Sequence, residues 1–138
     1  MNILIDTNVI LDVLLCRVPH NVESGKIIAL SEKGRLNGFV SASSITDIYY
    51  VTRKKLKEEK ATIDALKKLL TILNVADVLS GNIYETLELS WEDFEDSLQY
   101  SVGKSIMANY IITRNAKDYS QSDIPVLSPQ EFIEGLQS

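Results

Sequence analysis

Short apolar segments alternate with amphipathic segments along this chain, and that alternation constrains the fold more than any other feature. Strand-like runs fall at residues 2–6, 38–41, 75–78, 110–113 and 125–127, and helical periodicity is clearest over residues 22–33, 45–57, 62–73 and 91–107. Strands that alternate with helices predict βαβ units, in which helices cover both faces of a parallel sheet. We therefore expect an α/β fold, a three-layer α/β/α sandwich with a central parallel sheet.

The composition limits the other classes of protein. With 138 residues, 45% of them hydrophobic, the chain is long enough for one domain with a substantial core, and we expect a single domain over residues 1–138. No apolar run reaches the ~18 residues of a membrane helix. Cys16 is the only cysteine, and no basic region followed by an apolar stretch opens the chain. These features lead us to expect a cytoplasmic protein that does not associate with membranes.

Asp6 interrupts the apolar opening MNILIDTNVIL. Ile3, Leu4 and Ile5 form a continuous apolar run, which fits a strand buried on both faces. Thr7 then starts a segment of helical spacing. A charge between a buried strand and a helix is costly unless it is paired, hydrogen-bonded or bound to a metal. Ligands of open α/β sheets bind at this carboxyl end of the strands, so Asp6 is a candidate site residue.

Further carboxylates follow the other strand-like runs or begin helices. Asp47 lies in SSITDIYYV and Asp118 in YIITRNAKDY, each shortly after a predicted strand. Asp93 and Asp96 lie three apart in SWEDFEDSLQY, so they share one face of a helix. Because the loops after parallel strands meet at one edge of the sheet, these acids are expected to converge with Asp6. Converging carboxylates repel one another and favour Mg²⁺ or Mn²⁺, which indicates metal-assisted hydrolysis of phosphodiesters.

Structural roles compete with this interpretation. Asp47, Asp93 and Asp118 each stand three residues after a Ser or Asn, as in a capping box with Asp in place of Glu. Asp96 is alternatively an ordinary solvated helix acid. For Asp6 the structural alternative requires buried hydrogen-bond donors.

Charge is unevenly distributed along a chain whose net charge is −5. A basic cluster contains Arg53, Lys54 and Lys55. Residues 78–103, by contrast, contain several acids and no Lys or Arg. The basic residues are candidates for RNA phosphate contacts, for contacts to an acidic partner, or for a merely solvated helix face. Arg114, beside Asn115, is a candidate phosphate contact or a member of a surface ion pair.

Four segments, ILIDTNVILD, SSITDIYYV, DFEDSLQY and YIITRNAKDY, resemble the PIN-domain ribonucleases, and they occur in the same order over essentially the whole chain. The likeness is greatest to small bacterial and archaeal members, many of them toxins of VapC-like toxin–antitoxin pairs. It implies a parallel α/β/α sandwich, an acidic pocket for Mg²⁺ or Mn²⁺, and endonucleolytic cleavage of RNA. It also implies a homodimer and a small antitoxin partner.

The resemblance carries over to particular residues. Asp6, Asp96 and Asp118 match the acids that bind the metal, and Asp47 stands where the family usually has Glu. Since Asp is one methylene shorter, Asp47 is expected to reach the ion directly or through water. Four further residues are expected to support these acids: Asn8, Asp93, Thr113 and Asn115.

Two rival functions stay open. An aspartyl phosphotransferase of the haloacid dehalogenase type would use Asp6 as nucleophile, but it would carry a second acid where this chain has Asn8. A catalytically weak or inactive PIN-like module would bind RNA or a partner protein instead. The shorter acid at Asp47 and the acidic net charge motivate that second alternative.

Overall fold

A computed structural model describes residues 1–137 and contains a five-stranded sheet of order β3-β2-β1-β4-β5. Every neighbouring pair of strands runs parallel. The predicted α/β class with a central parallel sheet is confirmed. The strands are β1 (Asn2–Ile5), β2 (Asn37–Ser41), β3 (Asn74–Ala76), β4 (Tyr110–Ile112) and β5 (Val126–Leu127).

Helices cover both faces of the sheet. They are α1 (Thr7–Leu14), α2 (His20–Glu32), α3 (Ile45–Leu56), α4 (Glu59–Ile72), α5 (Ser80–Leu89), α6 (Phe94–Ser105) and α7 (Pro129–Gln137). One hydrophobic cluster joins α1, α2, α3, α4 and α7 to the sheet, and a second joins α5 and α6 to its other face. Ile3 and Ile5 of β1 point into the first cluster and Leu4 into the second, as the alternation along a strand requires.

Capping explains two of the boundaries at which the observed elements differ from the predicted ones. The strand predicted over residues 2–6 ends at Ile5, because Asp6 is the N-cap of α1 and its side chain accepts from the Thr7 backbone N–H. The helix predicted over residues 91–107 begins only at Phe94, because Asp93 is extended and caps it. Polar residues at the junctions therefore set these boundaries, where hydrophobic periodicity alone placed them too widely.

Register places the ends of β1 and β4 side by side. Ile5 pairs with Ile112, and the Asp6 N–H donates to the Ile112 carbonyl at 2.9 Å. The next residue after β4, Thr113, is therefore next to Asp6. Two short 3₁₀ helices, Ala42–Ser44 after β2 and Ala116–Tyr119 after β4, carry the chain past the same edge.

No helix within residues 1–137 combines the length and apolarity that crossing a bilayer would require.

Gly38 allows β2 to pass close to α2 and to the end of α4. A Cβ at this position would lie 2.7 Å from both Leu73 Cδ2 and Ser31 Oγ. We expect Gly38→Ala to lower the free energy of unfolding by about 1–3 kcal/mol through overpacking. Gly25→Ala is the matched control, because a Cβ there meets nothing within 4 Å inside helix α2 and should stabilise by about 0.5–1 kcal/mol. Urea unfolding measures both, and equal midpoints for the two variants would contradict the packing argument.

Candidate acidic active site

An acidic cavity of about 560 Å³ opens at the carboxyl edge of the sheet. It brings together carboxylates from separate parts of the chain, and its lining includes Asp6, Asp47, Asp93, Asp96 and Asp118. The size is typical of a ligand site. The structure therefore gathers the predicted acids into one place, as the argument from parallel-strand ends anticipated.

Hydrogen-bond donors from four segments hold the buried carboxylate of Asp6. Oδ1 accepts from the Thr7 N–H at 2.7 Å and from Gln99 Nε2 at 3.2 Å. Oδ2 accepts from Thr113 Oγ1 at 2.8 Å and from the Tyr119 hydroxyl at 3.2 Å. The buried donors that a structural role for Asp6 requires are thus present, and they fix the orientation that a ligating role would also need.

Thr113 and Asn8 connect the first strand–helix junction to the loop after β4. The fully buried Thr113 hydroxyl donates to Asp6 and accepts from Asn8 Nδ2 at 3.2 Å. Asn8 Oδ1 accepts from the Arg114 N–H at 3.3 Å, and Thr113 Oγ1 accepts from the Asn115 N–H at 3.1 Å. Asn8 and Asn115 also line the cavity, whereas Thr113 acts behind it.

Sequence reasoning missed Gln99 and Tyr119 as site residues. Gln99 is buried one turn after Asp96 in α6 and also donates to Ser44 Oγ at 3.2 Å. Tyr119 directly follows Asp118 and is buried. Burial and the neighbouring carboxylates raise the pKa of Tyr119, so its hydroxyl remains a donor to Asp6. Helical spacing from Asp96 was a usable signal for Gln99, whereas adjacency to Asp118 was the only hint for Tyr119.

Asp96 lies half-buried in the first turn of α6, beside the other acids. Burial is the largest cause that raises the pKa of Asp96 to about 7, and repulsion from Asp93, Asp6 and Asp118 adds to it. A hydrogen bond from Tyr119 opposes the shift. The carboxylates therefore sense one another across the cavity, and the negative charge of the group is not balanced by the residues around Asp96.

The remaining predicted acids are exposed at the cavity wall. Asp47 lies in the first turn of α3 and Asp118 in the 3₁₀ helix after β4. Neither Ser44 nor Asn115 makes the side-chain cap that the capping alternative requires. Asp93 does cap, but as the N-cap residue that precedes α6, since its Oδ1 accepts from the Asp96 N–H at 3.0 Å.

The donor set of this cavity suits a hard divalent cation. Carboxylate and amide oxygens are the ligands that Mg²⁺ and Mn²⁺ take, and the raised pKa of Asp96 reports charge that a cation would neutralise. Within residues 1–137, no three His, Cys, Asp or Glu side chains already stand close enough to hold an ion. Since Asp47 and Asp118 are exposed, their side chains are free to rotate toward one.

The predicted RNA-binding residues lie apart from this cavity. Arg53, Lys54 and Lys55 occupy the last turn of α3 and do not line it. Arg114 forms the ion pair that was the alternative to a phosphate contact, with Nε at 2.6 Å and Nη2 at 3.1 Å from the two oxygens of Asp12. Asp12 is fully buried, and in the sequence it interrupts the apolar segment of residues 9–15.

Comparison with known proteins identifies related chains. A family model described as a PIN domain matches residues 2–117. No curated protein matches the chain by sequence.

Solved structures with the same fold include bacterial toxin–antitoxin proteins. VapBC2 from Rickettsia felis, bound to a DNA fragment from its promoter, gives a TM-score of 0.70 at 17% identity, covering 93% of this chain and 98% of that one. FitAcB from Neisseria gonorrhoeae gives a TM-score of 0.72 at 17% identity, and the match covers 93% of this chain and 98% of that one. VapC20 from Mycobacterium tuberculosis, described as a sarcin–ricin loop cleaving toxin, gives a TM-score of 0.64 at 13% identity. This match covers 79% of this chain and 86% of that one. Similarity at these identities establishes the shared fold.

The raised pKa of Asp96 predicts a cost to stability that depends on pH. Between about pH 4, where an unfolded Asp ionises, and about 7, the folded chain binds the extra proton, so its stability falls as pH rises. In metal-free buffer we expect Asp96→Asn to raise the melting temperature at pH 8 by about 4 °C, or ~1 kcal/mol. This is less than the full pKa shift would give, because water screens a half-exposed carboxyl.

Thermal unfolding of both proteins over a pH series measures this effect. The difference in melting temperature should vanish near pH 3.5, grow between about pH 4 and about pH 7, and level off above pH 7. A difference that is the same at every pH would show that Asp96 titrates normally.

Proposed function

This chain belongs to the PIN-domain family, and from that premise we propose that it is a Mg²⁺- or Mn²⁺-dependent endoribonuclease that hydrolyses RNA phosphodiester bonds. One observation carries the proposal. Carboxylates that are far apart in the sequence meet in a single cavity, where burial and then repulsion from the other acids raise the pKa of Asp96 to about 7. An acidic cluster of this kind gains from a divalent cation, and phosphodiester hydrolysis is the reaction that such a site commonly supports.

The proposal gives each acid a role. Asp6, Asp96 and Asp118 hold the cation, with Asp47 joining directly or through water. When bound, the cation supplies positive charge for the phosphodiester and lowers the pKa of a water molecule. Gln99, Thr113 and Tyr119 keep the Asp6 carboxylate in one orientation, which is what preorganised catalysis requires of the groups behind a site.

The remaining predicted residues have supporting roles in the proposal. Asn8 and Asn115 hold the Thr113 hydroxyl in place from either side. Asp93 supplies outer charge beside Asp96. Arg53, Lys54 and Lys55 contact RNA phosphates away from the cleaved bond, whereas a phosphate contact by Arg114 would compete with its ion pair to Asp12.

We further propose that the chain is a toxin-type protein that acts in the cytoplasm and is inhibited by a small antitoxin. The fold it shares with VapBC2 and FitAcB supports this assignment. RNA is the preferred substrate because VapC20, which has the same fold, is described as cleaving the sarcin–ricin loop.

The rival functions have less support. Each oxygen of Asp6 accepts two hydrogen bonds, which disfavours an aspartyl nucleophile. An inactive module that binds RNA or a partner protein is favoured only by the shorter acid at Asp47 and the net charge of −5. Activity with Mn²⁺ that depends on Asp6 would exclude it.

The decisive experiment is calorimetric titration of Mn²⁺ combined with an RNA-cleavage assay on the same preparations. We expect wild type to bind one or two ions and to cut RNA, and Asp6→Asn, Asp96→Asn and Asp118→Asn each to lose roughly 10²-fold or more of the cleavage rate. Asp64→Asn is the control, because this acid is exposed on α4 in a surface pair with Lys60. Wild type that binds no Mn²⁺ in the presence or absence of RNA and cuts nothing would overturn the nuclease assignment.

The exposed apolar face of α5 supports the homodimer that the family resemblance implies. Tyr84 and Leu87 lie one turn apart and are 69% and 60% exposed. We expect light scattering to give a dimer at micromolar concentration for wild type and a monomer for Leu87→Glu. Leu136→Glu on α7, which replaces another exposed leucine, should remain dimeric. A monomeric wild type would rule out this interface.

A further inference from the structure

We propose that the acidic cavity continues into a neighbouring one to form a single groove for an RNA strand, and that Arg17 and Lys117 bind its phosphates on either side of the cleaved bond. This inference rests on the proposed function and adds the path of the substrate and two specific contacts. Neither residue was among the predicted site residues, and neither belongs to the acidic cluster itself.

The groove follows from two cavities that share a wall. The second cavity, of about 430 Å³, is lined by Trp91, Glu92, Asp93, Lys117, Asp118, Ser120 and Gln121. Asp93 and Asp118 also line the acidic cavity. Since the same two carboxylates border both spaces, an extended ligand that reaches the acidic cavity has a direct continuation past Asp118 toward Trp91.

Charge decides which residues are able to hold a polyanion there. The lining of the acidic cavity includes several carboxylates but one basic residue, Arg17. The lining of the second cavity likewise includes one basic residue, Lys117. An RNA strand in the groove meets repulsion at the carboxylates, so its phosphates gain most at these two positions, which flank the acids.

Arg17 lies at the cavity and forms only a long ion pair, with Asp12. Its N–H donates to the Asp12 carbonyl at 2.9 Å, just after Cys16 turns the chain with a positive φ of 51°. Its Nη1 lies 3.8 Å from Asp12 Oδ1, beyond hydrogen-bond distance, and its side chain is 39% exposed. Arg114 already binds both oxygens of Asp12. Two guanidinium groups on one carboxylate leave one positive charge in excess, and Arg17 is the more exposed of the two, since the Arg114 side chain is 28% exposed.

Lys117 provides the second cation. It lies in the 3₁₀ helix Ala116–Tyr119, next to Asp118, and is exposed. Its ammonium forms no ion pair or hydrogen bond with the part of the chain that the structure describes. It is therefore available to a phosphate without breaking an existing contact.

The test measures RNA binding separately from cleavage. The probe is a labelled single-stranded RNA of randomised sequence, long enough to span both cavities, with Ca²⁺ in place of Mn²⁺, and fluorescence anisotropy reports the affinity over a salt series. We expect Arg17→Ala and Lys117→Ala each to weaken binding about fivefold to tenfold at low salt. Each should also reduce the slope of log affinity against log salt by about 0.7, the value for one phosphate contact to a single strand.

Matched controls are Arg35→Ala and Lys33→Ala, which remove exposed basic residues lining neither cavity. They should bind as wild type does. Arg17→Lys should retain most of the affinity that Arg17→Gln loses, and all these variants should keep the melting temperature and Mn²⁺ affinity of wild type. A loss of RNA affinity that accompanies a loss of stability or of Mn²⁺ binding would indicate a structural role and overturn the contact.

The two proposals fail in different ways. Unchanged RNA affinity and salt slope in Arg17→Ala and Lys117→Ala would overturn the groove even if wild type cuts RNA. Wild type that binds the probe through these two residues but neither binds Mn²⁺ nor cleaves would overturn the nuclease assignment and leave the groove supported.

Discussion

The buried carboxylate of Asp6 is the constraint on which the rest of the site depends. Asp6 directly follows strand β1, whose residues Ile3, Leu4 and Ile5 are fully buried. The charge of Asp6 is therefore removed from water and must be compensated by hydrogen-bond donors. Those donors come from the start of α1, from α6, from the end of β4 and from the 3₁₀ helix after it. Satisfying one buried charge thus fixes the relative positions of the segments that carry Asp96 and Asp118.

The environment of Asp96 has the opposite electrostatic effect to that of Asp6. Asp6 is compensated by hydrogen bonds, whereas Asp96 is placed where burial and three other carboxylates disfavour its charge. The fold therefore keeps one acid oriented and another destabilised within the same cavity. A structure selected only for stability would not bring these acids together, and sites built for ligands commonly carry such a cost.

Much of this arrangement is predictable from the sequence, because it follows from local periodicity and from the geometry of parallel sheets. The position of Asp6 after Ile5 follows from the apolar run, whereas the supporting role of Thr113 was implied by the family resemblance and its register beside Asp6 is given by the fold. The cavity around Asp96 follows from the rule that the ends of parallel strands share an edge. The predicted ends of elements were less accurate, because residues such as Asp93 set the start of a helix by capping, which hydrophobic spacing does not encode.

The remaining contacts depend on tertiary packing and left little signal in the sequence. Asp12 is separated from Arg114 by more than a hundred residues, and it appears in the sequence as a polar interruption of an apolar segment. Only the folded chain shows that it binds Arg114 through both oxygens. Tyr119 is similar, because an aromatic residue after Asp118 is equally consistent with ordinary core packing, and its hydroxyl bond to Asp6 depends on the fold.

Trp91 is the single tryptophan of the chain, and its place in the wall of the second cavity has an optical consequence. Its indole stacks on Tyr100 with ring centroids 4.9 Å apart and forms a T-shaped contact with Tyr119 with ring centroids 6.2 Å apart. Because Tyr119 in turn contacts Asp6, the chain's one strong intrinsic fluorophore is two contacts away from the acidic cluster. The emission of this protein is therefore a label-free reporter located at the groove, with no competing indole elsewhere in the sequence to obscure it.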